Sequence, residues 1–210
     1  MNEGWLILLK KAIDIIEKAG IAEDEWSFGG GSALTVYYHH RESFDVDIFL
    51  KDAQHLLLLT PRLNSYIEGI EDYNEMSNFV KIKMSDGEID FILAPHLTRD
   101  WYIKREILNH LIMMETPWEI VIKKLFYRPE SLKVRDIVDT AVVLKNEWDK
   151  MQEYSNIILP KIEIIKGRWE KIKNLYKEEA EKLIIFDKSI IAEAFELFSN
   201  YIKSISKDNR

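Results

Sequence analysis

From Phe44 to Leu50 the chain reads FDVDIFL, and this strict alternation is the strongest constraint on its fold. Phe44, Val46, Ile48 and Leu50 fall on one face of an extended strand, with Asp45, Asp47 and Phe49 on the other. One face must be buried against a core while two carboxylates project together from the opposite side. The abundance of apolar residues makes this a central strand of a sheet rather than a solvated edge.

Just upstream, Gly29-Gly30-Gly31-Ser32 precedes a helical pattern over 32–40. Unpaired backbone N–H groups at the start of a helix, uncovered by side chains, suit a phosphate. The glycines match neither the phosphate loop ending in Gly-Lys-Ser/Thr nor the dinucleotide fingerprint. Two neighbouring carboxylates instead call for a cation between them, and oxygen donors of this kind suit Mg²⁺, with Mn²⁺ as an alternative.

The periodicity predicts a helix from Glu3 to Ala19 stopped at Gly20, a short strand over 25–28, and a helix over 52–69 interrupted by Pro61. Strands over 78–84 and 88–93 flank the turn Ser85-Asp86-Gly87. In the second of these, EIDFIL sets Asp90 alone on one face, where strand propensity disfavours it. If this strand neighbours the first, Asp90 joins Asp45 and Asp47 in a three-carboxylate site for two-metal phosphoryl or nucleotidyl transfer.

From Thr116 the pattern turns helical. TPWE offers Thr116 as cap, Pro117 at the first helical position and Glu119 three residues after the cap. This helix carries Lys123 and Lys124, about 100° apart, so one of the two faces a site. A second helix over 133–149 carries Arg135, Asp136 and Asp139; the aspartates share a face and Arg135 can pair with either. The expected division is residues 1–115 as a sheet-bearing domain and 116–210 as a helical one completing the active-site cleft.

The chain's 210 residues carry a net charge of −7, which argues against general nucleic-acid binding. A local basic stretch, Lys161 to Lys177, reads as a solvated helix face, and His39, His40 and Arg41 as a polar helix end. His55 and His96 have no metal-ligand spacing. The tryptophans and tyrosines of the second half recur at helical intervals and belong to a core. The chain has no cysteine, and no apolar run long enough to span a membrane; its first residues form an amphipathic helix rather than a signal peptide. The expected location is cytoplasmic.

In combination, Gly30-Gly31-Ser32-Ala33-Leu34, twelve intervening residues and Asp45-Val46-Asp47 resemble the signature of polymerase-β-like nucleotidyltransferases, most closely the AbiEii/AbiGii toxin family. GEIDFI at Asp90, WEIVIKKLFYR at Lys124 and VRDIVDTAVVL at Arg135, Asp136 and Asp139 extend the likeness over residues 29–139. The resemblance implies an α+β fold: a small mixed sheet flanked by helices, then a helical bundle. It implies an enzyme that moves a nucleoside monophosphate from an NTP to a hydroxyl, releasing pyrophosphate. Asp45, Asp47 and Asp90 would hold Mg²⁺, Gly30, Gly31 and Ser32 the phosphates, and Lys124 would offset triphosphate charge. Asp136 would orient Lys124 or the acceptor. It further implies a toxin with a cognate antitoxin, acting on RNA such as a tRNA 3′ end. A small-molecule or protein acceptor, and a non-catalytic NTP- or partner-binding module, are the alternatives.

Overall fold

The computed structural model describes residues 4–207. They form two compact units: residues up to 36 with 43–95 and 102–116, and residues 37–42 and 96–101 with the chain from 117 onward. The division is therefore not a single cut, because two short segments of the first half belong with the helices.

The first unit is built on a seven-stranded mixed sheet of order β3-β4-β5-β2-β1-β7-β6. Its strands are β1 (Trp26–Gly29), β2 (Val46–Leu50), β3 (Asp72–Met76), β4 (Phe79–Met84), β5 (Gly87–Leu93), β6 (Tyr102–Ile107) and β7 (His110–Glu115). The alternating strand β2 is central, antiparallel to β1 and parallel to β5. Val46 and Ile48 are fully buried and Leu50 nearly so, as the alternation requires. Phe44 departs from it: the strand begins at Val46, and Phe44 is exposed.

Helix α1 (Gly4–Lys18) covers β2 and β5 with Leu8, Leu9, Ala12, Ile13, Ile15 and Ile16, and ends at Gly20, which adopts a positive φ of 69°. Its expected first residue, Glu3, lies outside the described residues. Burying each such Leu or Ile stabilises the unit by roughly 1.5–3 kcal/mol, more than an exposed pair such as Lys18–Asp14 contributes. Helix α2 (Gly30–Tyr38) starts two residues earlier than its apolar pattern.

Two expectations change. The long helix over 52–69 is only α3 (His55–Leu59): Thr60 is extended at φ −82°, ψ 127°, as the residue before a proline prefers, and turns follow Pro61. The sheet is also larger than four legible strands. β7 is buried on both faces at Ile112, Met113 and Met114, which erases alternation, and its hairpin with β6 turns on Leu108-Asn109 with positive φ at both. Leucine there carries no turn signal. Edge strand β3, DYNEM, is largely exposed and lacks an apolar face.

The second unit is helical: α4 (Pro117–Tyr127), α5 (Val134–Asn146), α6 (Trp148–Glu153), α7 (Ser155–Ile158), α8 (Ile162–Ile172), α9 (Tyr176–Glu181) and α10 (Ser189–Lys207). α5 packs on α4 and α10. Trp169 sits among Tyr176, Phe195 and Phe198 with ring centroids 5.1–6.0 Å away; Trp169 and Tyr176 are buried with Phe198, as their spacing suggests, while Phe195 lies at the exposed edge of the cluster. Trp148 and Tyr127 are exceptions, being exposed. The basic stretch of α8 is answered locally: Lys166 pairs with Glu163 at 2.7 Å and Lys173 with Glu170 at 2.5 Å. Among the described residues no helix is long and apolar enough to cross a membrane.

Candidate functional site

In the first unit, β1 runs into the glycine turn and α2 starts at Gly30, so its first N–H groups lack intrahelical partners. Gly30 holds φ at 70°, and a Cβ added to it would land on the Asp47 carboxylate. A Cβ on Gly29 would sit 2.5 Å from Glu115 Oε2 and 2.6 Å from the Phe49 ring. Both glycines are thus required by what presses on them. Gly31 opens the first helical turn, and its carbonyl accepts the Thr35 hydroxyl at 3.1 Å. Ser32 is fully buried and its hydroxyl donates to the Asp45 carbonyl, tying the turn to the residue that leads into β2.

The parallel register sets Asp47 directly opposite Asp90, the neighbouring arrangement the two strands needed for their carboxylates to act together. Asp90 has two unlike oxygens. Oδ2 accepts Lys81 Nζ at 3.1 Å, whereas Oδ1 is buried with no hydrogen-bond partner. Burial, then the negative charge of Asp47, pushes the Asp90 carboxyl up to about 7, against the opposing pull of Lys81. Lys81, across the strand pair on β4, also bonds Glu88 at 2.7 Å.

The expected trio is not assembled: among the described residues no three His, Cys, Asp or Glu side chains are grouped to hold a metal. Asp45 precedes the first residue of β2 and so falls outside the alternation that aligns Asp47. What remains fits a hard divalent cation nonetheless. The donors are oxygens, one of them buried and unpartnered, and Mg²⁺ commonly takes one or two carboxylates with water and substrate phosphates. Glu115, buried and accepting the Ser27 hydroxyl at 3.2 Å, is a further carboxylate against the turn. The unbroken apolar run before it hid the strand that brings it there.

The second unit holds a different cluster. Lys124, rather than Lys123, meets the two aspartates: its ammonium bonds Asp139 Oδ2 and lies 3.3 Å from Asp136 Oδ1. Lys123 is buried as well. Asp136 caps α5 by accepting the Lys133 N–H at 2.9 Å and receives Arg128 Nη2 at 2.6 Å. Asp139 is fully buried and takes His40 Nε2 at 2.8 Å, Arg41 Nε at 2.7 Å and Arg41 Nη2 at 2.8 Å. Burial would raise its carboxyl, but the charges of Arg41 and Lys124 and the bonds from His40 and Arg41 hold it well below the usual carboxylate range.

The guanidiniums on these aspartates therefore come from Arg41 and Arg128, not Arg135. His40 and Arg41 are not a polar helix end; both are buried, at 3% and 5% exposure. Their signal in the sequence was a His-Arg pair just after an apolar helix. Glu119 has a role beyond the helix start: its buried carboxylate accepts the N–H groups of Leu97 and Thr98, each at 2.8 Å, and the Thr98 hydroxyl at 2.7 Å.

The first unit thus sets a helix-opening glycine turn against the Asp47 carboxylate, with Asp90 opposite it on the next parallel strand. The chain belongs to the AbiEii family, described as a nucleotidyl transferase toxin of a type IV toxin–antitoxin system, whose sequence profile matches residues 18–198. It is accordingly a nucleotidyltransferase. JHP933 from Helicobacter pylori is similar in fold, at 14% identity and TM-score 0.53, the match covering 99% of this chain and 95% of that one. The antibiotic-resistance factor ANT(2'')-Ia is similar too, at 11% identity and TM-score 0.54, over 85% of this chain and all of that one. No curated protein sequence matches the chain.

Proposed function

We propose that the protein is a Mg²⁺-dependent toxin that moves a nucleoside monophosphate from an NTP to a hydroxyl on RNA, a tRNA 3′ end being the acceptor class implied by its family. The observation that carries this reading is the pairing of Asp47 with Asp90 beside the Gly30 turn. Asp47 and Asp90 would hold the cation, and Asp45 enters through the motif it shares with the family. When bound, the cation supplies Lewis acidity toward phosphate oxygens.

The chain's own groups account for the rest. The α2 N–H groups at Gly30 and Gly31 bind phosphate oxygens, with Ser32 holding the turn in register. The acceptor oxygen attacks the α-phosphorus in line; the bond to the β-phosphate oxygen breaks, and pyrophosphate leaves with that electron pair. The acceptor proton passes to a carboxylate, for which Asp90 is suited because burial and Asp47 bring its proton affinity near neutrality. Lys124 offsets charge on the triphosphate, and Asp136 orients Lys124. The cognate antitoxin is a partner of the same system.

The test is label transfer from each of four α-³²P-labelled NTPs with Mg²⁺ or Mn²⁺, using total RNA, no RNA or RNase-treated RNA, beside Asp47→Ala. Label in a tRNA-sized band that Asp47→Ala abolishes is the expected result. Label on the protein alone, or transfer only to a small hydroxyl compound, would overturn the RNA assignment. Tight NTP binding without transfer to any acceptor would favour a binding module.

A further inference from the structure

The buried cluster around Asp139 raises a question that the roles of Lys124 and Asp136 leave open. Lys124 cannot offset charge on a ligand while its ammonium is held as a counter-ion of a buried carboxylate. Leaving a buried carboxylate without a cation is among the costliest changes a protein interior can undergo. Lys124 bonds Asp139 directly and stands 3.3 Å from Asp136. Something else must therefore carry these two anions if Lys124 is to turn to a phosphate.

The remaining partners do this asymmetrically. Asp136 has Arg128 at 2.6 Å and the Lys133 N–H at 2.9 Å. Asp139 has a two-point guanidinium fork, Arg41 Nε to Oδ1 and Nη2 to Oδ2, together with His40 Nε2. Leaving His40 aside, three cations (Arg41, Lys124 and Arg128) meet two carboxylates, so the cluster has one positive charge in excess. Arg41 and Asp139 are both buried, and a fork of this geometry is the strongest form of the pair.

We propose that Arg41, assisted by His40, is a positioning residue for Lys124: by satisfying the buried Asp139 carboxylate it frees the Lys124 ammonium to exchange that carboxylate for an anionic ligand. The inference rests on the reading of Lys124 as a phosphate-facing cation.

The experiment measures dissociation constants for each Mg²⁺–NTP by calorimetry, with melting temperature as a check on folding. The set is wild type, Lys124→Met, Arg41→Gln and the double variant Arg41→Gln/Asp139→Asn. Lys124→Met is expected to weaken binding of the preferred NTP about tenfold, and Arg41→Gln to a similar extent, because Lys124 becomes locked onto Asp139. Removing that carboxylate as well restores the one-charge excess, and the double variant returns to within about threefold of wild type. This rescue is not expected if Arg41 itself meets the nucleotide.

A folded Arg41→Gln protein with wild-type NTP affinity, while Lys124→Met loses it, would overturn the positioning role alone. A double variant as weak as Lys124→Met would do the same, and it decides the matter if Arg41→Gln does not fold, since it strands no charge. Unchanged affinity in Lys124→Met would instead remove the reading of Lys124, and the inference with it.

Discussion

The carboxylate of Asp47 fills the space that a side chain on Gly30 would need. Gly30→Ala should therefore do two kinds of damage: strain at a φ of 70° and displacement of Asp47. Strain of this kind costs about 1–3 kcal/mol. Gly20 has nearly the same φ, 69°, but nothing within 4 Å of an added Cβ. The expected outcome is that Gly20→Ala lowers stability by about 1 kcal/mol and leaves nucleotidyl transfer intact, whereas Gly30→Ala abolishes transfer even where it folds. Urea denaturation and label transfer on both variants check this.

Asp90 makes stability pH-dependent with a defined sign. Its carboxyl is raised in the folded state to about 7 from an ordinary 3.8, so the folded protein keeps a proton that the unfolded chain has lost. Its contribution is complete below about pH 4 and is lost as pH rises through 7. Without divalent cations, the difference in unfolding free energy between wild type and Asp90→Asn should shift against wild type from pH 5 to pH 8. Added Mg²⁺ should reverse that shift and release a proton on binding, measurable by calorimetry in buffers of different ionisation heat. A pH-independent difference would contradict the assignment.

Asp139 has the opposite sign. Its carboxyl lies well below the usual range, so the stability from its ion pairs is present above about pH 4 and is lost as pH falls toward the folded value. Asp139→Asn strands Arg41 in a buried site and should destabilise the protein at pH 7 by about 3–5 kcal/mol. Lys166→Ala, which removes only an exposed pair with Glu163, should cost at most about 0.5 kcal/mol. Thermal unfolding of the two variants separates these expectations.

Glu119 anchors residues 96–101 to the helical unit through three hydrogen bonds to a single buried carboxylate. Glu119→Ala leaves the Leu97 and Thr98 N–H groups without their acceptor, a loss of about 2–4 kcal/mol. Amide hydrogen exchange should show Leu97 and Thr98 losing protection ahead of the α5 core. Glu119→Gln, which keeps one acceptor oxygen, should fall between the variant and wild type.

Much of the site was legible where chemistry is local to a segment. The glycine turn, the alternation that turns Asp47 away from the core, the isolation of Asp90 in EIDFIL and the proline start of α4 are all visible within about a dozen residues. Such features depend on backbone periodicity and on the φ and N–H limits of glycine and proline, which need no distant partner. What was missed were pairings whose two halves lie far apart along the chain. Arg41 and Asp139 are 98 positions apart, and Ser27 and Glu115 are 88.

The same distinction explains the errors in the fold. Alternation reveals a strand with one wet face, as in β2, but β7 is buried on both faces and β3 is exposed on most of its length, so neither declares its period. Sequence alone determined which segments could form a phosphate-accommodating turn and carboxylate-bearing strands. Only the tertiary structure decided that β2 and β5 lie side by side in the register that opposes Asp47 to Asp90, and that Asp139 gathers Lys124, Arg41 and His40. The reason is physical: strand registers and buried ion pairs are chosen by burial and charge compensation between segments remote in sequence, and no single segment contains both halves of that choice.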